Sequence, residues 1–244
     1  MNKNSKVESL KMLVLAGGFG SRLQSAVSDV PKPLAPVQGM PFLKFQLDNW
    51  VSQGVRSFVF LLHHRAEMII DFLKSEMVGS LLNCEVKWII EGKPMGTGGA
   101  IVQAINKLSI TEGFLVTNAD TWLSGGVVEL AEMEGCGMAA IYVDNIERYG
   151  SVNLIDNRVV SFSEKGDKTG GGWINAGLCK LMPEVFLEAT VPHDLPFSLE
   201  EVIFPQLALK SQFYAVPLSG TFIDIGIPED YQRFCTWIVS KRKL

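Results

Sequence analysis

The chain has 244 residues, 47% of them hydrophobic and 20% charged, a composition that excludes a disordered, collagen-like or disulfide-stapled protein. Its 22 Lys and Arg against 26 Asp and Glu leave a net charge of −4. That balance argues against a nucleic-acid binder working through a basic surface, while small anionic ligands need only a local positive pocket. Domains average about 150 residues, but α/β folds run to roughly 250 as one unit, so one domain over 1–244 is expected, with a polar leader at 1–10 and a core at 11–240. Cys84, Cys136, Cys179 and Cys235 form no C-x-x-C pair, so neither a zinc site nor a redox dithiol is indicated and the thiols read as reduced core. The start MNKNSKVESLK is polar, and no stretch reaches the roughly 18 apolar residues of a membrane helix, which points to the cytoplasm and away from membranes.

Residues 11–16 (KMLVLA) form a short apolar run that ends in glycines and reads as a buried strand. Leu43, Leu47, Trp50 and Val51 fall at helical spacing within 43–53, and Gly54 supplies a stop. A second strand follows at 57–62, a helix at 67–74, a third strand at 84–90, a helix at 100–108 and a fourth strand at 114–117. Strands alternating with helices of this length indicate parallel βαβ units and a wound sheet. After about residue 136 the pattern changes to short strands at 137–143, 151–155 and 158–163, the last two joined by a tight turn at Asp156-Asn157. Ser198 and Glu201 have capping-box spacing ahead of a helix at 199–209, and Pro228 opens a last helix through about Ser240.

The strongest motif is LAGGFGSRL at 15–23, followed by VPKPL at 30–34. A strand running into Gly17, Gly18 and Gly20 can turn sharply and present bare backbone N–H groups to an anion, and Arg22 and Lys32 add charge-assisted donors suited to a triphosphate. The segment lacks the Walker G-x-x-x-x-G-K-[ST], and Leu23 stands where a dinucleotide fold needs a small residue, so a dehydrogenase is disfavoured. In EGKPMGTGGA at 91–100, Gly96, Gly98 and Gly99 ahead of a helix would let backbone approach a flat ligand closely. VTNAD at 116–120 delivers Asp120 at the carboxyl end of a buried strand, the edge at which open α/β sheets bind ligands. Asp224 again follows an apolar strand in FIDIGIPEDY, and two such hard oxygen ligands suit Mg²⁺. Glu229 and Asp230 sit in a helix first turn, where the dipole accounts for them without chemistry. His63 and His64, at a strand end where neighbours face opposite ways, and His193, in a loop, read as non-catalytic.

Taken together, LAGGFGSRL and VPKPL closely resemble the signature of sugar-1-phosphate nucleotidyltransferases, and four further matches extend the resemblance through about residue 231. The resemblance implies a Rossmann-like wound mixed α/β sheet of the nucleotide-diphospho-sugar transferase type, in a single domain. It implies condensation of a nucleoside triphosphate with a sugar 1-phosphate, giving a nucleotide sugar and pyrophosphate. On the same basis Leu15, Ala16, Gly17, Gly18, Gly20, Ser21, Glu91, Gly96, Thr97 and Asn118 would contact the nucleotide, Asp120 and Asp224 would hold Mg²⁺, and Arg22, Lys32 and Lys165 would serve the reacting phosphates. Gly150, Glu164 and Asn175, in Tyr149-Gly150, Glu164-Lys165 and Asn175-Ala176-Gly177, would contact the sugar; the glycine-rich 166–173 reads as a mobile flap, with Trp173 suited to stacking or to core packing.

Within the family the chain most resembles bacterial D-glycero-α-D-manno-heptose 1-phosphate guanylyltransferases, which implies GTP as donor and the heptose 1-phosphate as acceptor. It departs from that pattern at Met95, where leucine is more frequent, and at Ala119, where glycine is common and a methyl would crowd the ligand. Thymidylyl-, uridylyl- and cytidylyltransferases share the skeleton and remain alternatives, as does a non-catalytic nucleotide-sugar-binding relative. A metal-dependent glycosyltransferase would show D-x-D, whereas Asp120 stands in Ala-Asp-Thr. Homo-oligomerisation is left open.

Overall fold

A computed structural model describes residues 3–23, 25–163, 169–188 and 195–242. The strands are β1 (Lys11–Leu15), β2 (Pro36–Val37), β3 (Met40–Pro41), β4 (Ser57–Leu62), β5 (Glu85–Ile90), β6 (Phe114–Asn118), β7 (Thr121–Leu123), β8 (Cys136–Val143), β9 (Ser151–Ile155), β10 (Arg158–Ser163), β11 (Gly172–Leu181), β12 (Phe213–Leu218) and β13 (Phe222–Asp224). The α-helices are α1 (Lys3–Ser9), α2 (Phe42–Ser52), α3 (Ala66–Glu76), α4 (Gly96–Leu108), α5 (Val127–Glu132), α6 (Glu184–Glu188), α7 (Phe204–Leu209) and α8 (Pro228–Arg242).

Nine strands form one sheet in the order β5-β4-β1-β6-β11-β8-β12-β10-β9. The first four are mutually parallel, as the βαβ pattern predicts; β11 then runs antiparallel to both β6 and β8, which makes the sheet mixed. Alternate residues of the parallel strands enter different cores. Met12, Val14, Phe58, Phe60 and Leu115 pack with α1, α2, α3 and α5 on one face. Leu13, Val59, Leu61, Phe114 and Val116 pack with α4, α6 and α7 on the other. Burial on both faces is why these strands read as unbroken apolar runs. A third cluster, with Phe42, Phe45, Trp122, Ile223 and Phe234, fastens α8 and the β7–β13 ribbon to α2.

Four sequence expectations are corrected. The leader is not loose: α1 buries Val7 completely in the core. Helix α4 starts at Gly96 rather than Ala100, because the glycines themselves form its first turn. The expected helix at 199–209 is a π-turn, Leu199–Ile203, followed by α7. Ser198 Oγ accepts from the N–H groups of Glu200 and Glu201, but it donates to Glu200 Oε2, so Glu200 rather than Glu201 is the side chain closing this helix start. The hairpin turn at Asp156-Asn157 has positive φ at both residues, as a type I′ turn requires.

Candidate active site

The site lies at the carboxyl ends of β1, β4, β5 and β6. The turn after β1 is anchored by both neighbouring strands: Ala16 N donates to Leu61 O at 2.9 Å, and Leu15 O accepts from Ala119 N at 3.0 Å. Each glycine beyond it has its own reason. A Cβ on Gly17 would stand 3.2 Å from both Glu91 Oε2 and His63 Cβ. Gly20 has φ +63 and abuts Lys32 Cβ, whereas Gly18 faces open space and is where an anion can approach the backbone. The chain then enters a single 3-10 turn, Ser21–Leu23, which buries Leu23 and leaves Arg22 exposed. His63 and His64 do not diverge as strand neighbours would, since β4 ends at Leu62; both rings contact exposed Phe19, at centroid distances of 5.7 and 5.3 Å. His63 Nδ1 donates to Glu91 O at 3.0 Å, and His193 lies outside the described residues.

The two aspartates meet because β7 and β13 pair antiparallel, with Asp224 opposite Thr121, and Ile225 N donates to Asp120 O at 3.0 Å. Burial, then the charge of Asp120, push the Asp224 carboxyl above its usual range, while Lys32, the Gly226 N–H and Arg22 pull it down. Lys32 Nζ donates to Asp120 Oδ2 at 2.7 Å. The lysine expected at the phosphates and the aspartate expected at a metal therefore form an ion pair with each other. Among the described residues no group of three or more His, Cys, Asp or Glu is placed to hold a metal. The methyl of Ala119 packs into the core and does not line the cavity, so the expected crowding does not arise.

Glu91, at the end of β5, is 8% exposed, and its Oε1 has no hydrogen-bond partner among the described residues. Burial pushes its carboxyl up; a backbone hydrogen bond from Met95 and the charge of His63 partly oppose this. The glycines that follow are small for a reason the sequence did not reveal. A Cβ on Gly96 would lie 2.4 Å from Phe197 O, one on Gly98 2.1 Å from the Phe197 ring, and one on Gly99 2.8 Å from Met95 Cβ. They admit Phe197 and Met95 to close packing. Phe197 N donates to Met95 O, Gly98 N donates to Phe197 O, and Thr97 Oγ1 accepts from Leu199 N and donates to Glu200 Oε2. The loop at 95–99 and the segment at 197–200 are thus one unit.

A cavity of about 730 Å³ opens beside Asp224, lined by Asn118, Tyr149, Gly150, Asn175, Glu200 and Glu201, among others. The NAG motif sits at a bulge: the β11–β8 register shifts between Asn175 and Cys179, Gly177 has φ +75, and Asn175 Oδ1 accepts from Gly177 N at 2.9 Å. A Cβ at Gly177 would stand 3.0 Å from Asn118 Nδ2, so the glycine lets this wall close on the Asp120 turn. Trp173 is half-buried and packs edge-on to Tyr142. Glu164, Lys165 and 166–168 lie outside the described residues. The sequence did not reveal Glu200 and Glu201 as lining residues, and it placed Asp230 in the first turn of a helix, where it lies, without its partners. Buried at 5% exposure, Asp230 pairs with Arg148 and, at 3.2 Å, with Arg233, which ties the loop carrying Tyr149 and Gly150 to α8. Nothing local marks a pair whose members are 82 residues apart.

A wound mixed sheet with a glycine turn, a cationic pair and two facing aspartates at its ligand-binding edge defines a class, and comparison with known proteins gives the same class. The nucleotidyl transferase family matches residues 11–238, and the chain belongs to it. It is 34% identical to the D-glycero-alpha-D-manno-heptose 1-phosphate guanylyltransferase of Campylobacter jejuni subsp. jejuni serotype O:2, over 92% of this chain and 98% of that one. The enzyme of the same name from Aneurinibacillus thermoaerophilus is 32% identical, over 92% and 96%. Among solved structures, HddC from Yersinia pseudotuberculosis complexed with GMP-PN superposes with a TM-score of 0.78 at 35% identity, covering 94% of this chain and 99% of that one.

Proposed function

We propose that the protein is a guanylyltransferase that joins GTP to a manno-configured sugar 1-phosphate, the heptose 1-phosphate first among them, and releases pyrophosphate. The observation that carries the choice of base is the carboxylate of Glu91, buried beside the glycine turn with one oxygen unpartnered among the described residues. Guanine alone among the common bases presents two adjacent donors, N1–H and the 2-amino group, to a two-oxygen acceptor, and a site that leaves a buried acceptor unpaired with any other base discriminates strongly. The names carried by the Campylobacter and Aneurinibacillus relatives, and the guanine nucleotide in the Yersinia structure, support the same reading.

The sugar phosphate oxygen attacks the α-phosphorus in line, the bond from that phosphorus to the bridging oxygen breaks, and pyrophosphate leaves. The nucleophile is already an anion, so the protein's work is positioning and charge neutralisation. The open backbone at Gly18 and the turn through Ser21 receive the phosphates, and exposed Arg22 meets the departing pyrophosphate. Asp120 and Asp224 fit Mg²⁺: they are hard oxygen donors whose mutual repulsion a cation relieves, with the remaining coordination left to phosphate oxygens and water. Bound there, the ion would neutralise charge on the triphosphate. Lys32, whose ammonium stands 2.7 Å from Asp120, serves the α-phosphate beside it. Asn175, the Gly150 backbone and the Glu200–Glu201 wall face the sugar; Glu164 and Lys165 are assigned to its hydroxyls and phosphate on resemblance alone. The test is incubation of GTP with D-glycero-α-D-manno-heptose 1-phosphate and Mg²⁺, followed by phosphorus NMR. Equal amounts of a GDP-sugar and pyrophosphate are expected; GTP left unchanged, or hydrolysed without a GDP-sugar, would refute the proposal.

A further inference from the structure

We propose that Gln46 is a positioning residue for the Asp120 carboxylate, acting through the backbone turn on which that carboxylate stands. The inference rests on the reading of Asp120 given above. The sequence marks α2 by its apolar stripe at Leu43, Leu47 and Trp50, but an amide stripe at 46, 49 and 53 runs beside it on helical spacing. Asn49 Nδ2 donates to Leu123 O at 2.8 Å, and Gln53 Oε1 accepts from Val127 N at 3.2 Å. Gln46, 1% exposed, stands closest to the chemistry. Its Nε2 donates to Asn118 O at 3.1 Å and to Thr121 O at 2.9 Å, the carbonyls on either side of Ala119-Asp120.

One nitrogen bearing two hydrogens spans the turn like a staple. Asp120 O is taken by Ile225 N and Ala119 N is given to Leu15 O, and Gln46 adds bonds to the carbonyls of 118 and 121. The opposite amide orientation would set an oxygen against two carbonyl oxygens, so the network dictates which way the group points. That orientation leaves Gln46 Oε1 buried without a partner among the described residues. A residue needed only to fill this space would be better as Met or Leu, which orphans nothing of its own. Breaches of polar satisfaction of this kind concentrate where geometry serves function.

Gln46→Met, close in shape and without donors, tests the assignment against Gln53→Met, which cuts the same ladder seven positions along the helix and away from Asp120. Displacement of a reacting group by 1 Å costs on the order of 10²-fold, so Gln46→Met should lose about that factor in kcat with KM for GTP little changed, while Gln53→Met turns over normally. A second readout needs no turnover. Mn²⁺ is added to the protein alone and the free-ion signal is followed by electron paramagnetic resonance. The wild type should show a site that Asp120→Asn abolishes and Gln46→Met weakens about tenfold. If Gln46→Met is too unstable to purify, Gln46→His, which keeps one donor, should show an intermediate loss. Equal kcat and Mn²⁺ affinity in wild type and Gln46→Met, or equal losses in Gln46→Met and Gln53→Met, would overturn the positioning role. A wild type without a Mn²⁺ site that depends on Asp120 would overturn the cation reading instead, and the kcat comparison would then decide Gln46 alone.

Discussion

Replacing Glu91 by Gln changes one atom and should move activity and stability in opposite directions. The carboxylate is buried, and Oε1 lacks a partner among the described residues, so it is a desolvated acceptor that guanine would satisfy. The amide keeps the shape but presents one acceptor and one donor where two acceptors are needed. Losing a hydrogen bond to a charged group costs about 1.5–3 kcal/mol, and each 1.4 kcal/mol is tenfold, so kcat/KM for GTP should fall by roughly 10- to 100-fold. The stability effect has the reverse sign, because an unpaired buried charge is replaced by a neutral group. Burial raises the folded-state pKa of Glu91. The folded state therefore holds this proton more tightly than the unfolded chain, and the stability so gained is lost as the pH rises through the raised value. The wild type should accordingly lose ground to the variant as the pH rises from about 4, the ordinary glutamate value, through the raised one. Pyrophosphate release with GTP, ATP, UTP and CTP, and thermal melting across that range, read both effects. A GTP efficiency within threefold of wild type, or an equal fall for all four nucleotides, would refute the assignment of Glu91 to the base.

Gly98→Ala should destabilise by about 1–3 kcal/mol, since its methyl would lie 2.1 Å from the Phe197 ring; melting measures this, and Phe197→Leu in the same chain should recover part of it. Lys32→Ala should lower kcat by roughly 10²–10³, the usual loss for one preorganised cationic donor, while the fold is kept; a loss confined to melting temperature would return Lys32 to a structural role. Asp230→Asn releases Arg148 and Arg233, whose half-exposed side chains limit the cost to about 1–2 kcal/mol, and it should raise KM for the sugar 1-phosphate more than KM for GTP in steady-state kinetics. Mannose 1-phosphate should be a poorer but detectable acceptor, because a missing carbon against apolar wall is worth about 1–3 kcal/mol.

The parallel half of the fold was legible because β1, β4 and β6 are buried on both faces and α2 has a clear stop at Gly54. The glycine turn and Asp120 were placed for a related reason, since each follows an apolar strand of the sheet at the edge where such sheets bind ligands, and Asp224 stands at the end of the short strand β13. What escaped was whatever depends on a distant partner. The glycines of the 95–99 loop showed no sign of Phe197, which packs against them from about a hundred positions away. Asp230 was legible as a helix-start acid but not as the buried anchor of the Tyr149 loop. Helix α2 showed its leucines and tryptophan, whose spacing is periodic, but its amide stripe has meaning only once the 118–127 segment lies against it.

The most direct test is a competition in one vessel. GTP, ATP, UTP, CTP and dTTP are mixed at equal concentration with Mg²⁺ and D-glycero-α-D-manno-heptose 1-phosphate, and the nucleotide sugars formed are separated by mass. The buried, half-satisfied carboxylate of Glu91 predicts the GDP-heptose as the dominant product, with the other four together below a tenth of it. A dTDP-, UDP- or CDP-sugar exceeding the GDP-sugar tenfold would contradict the account.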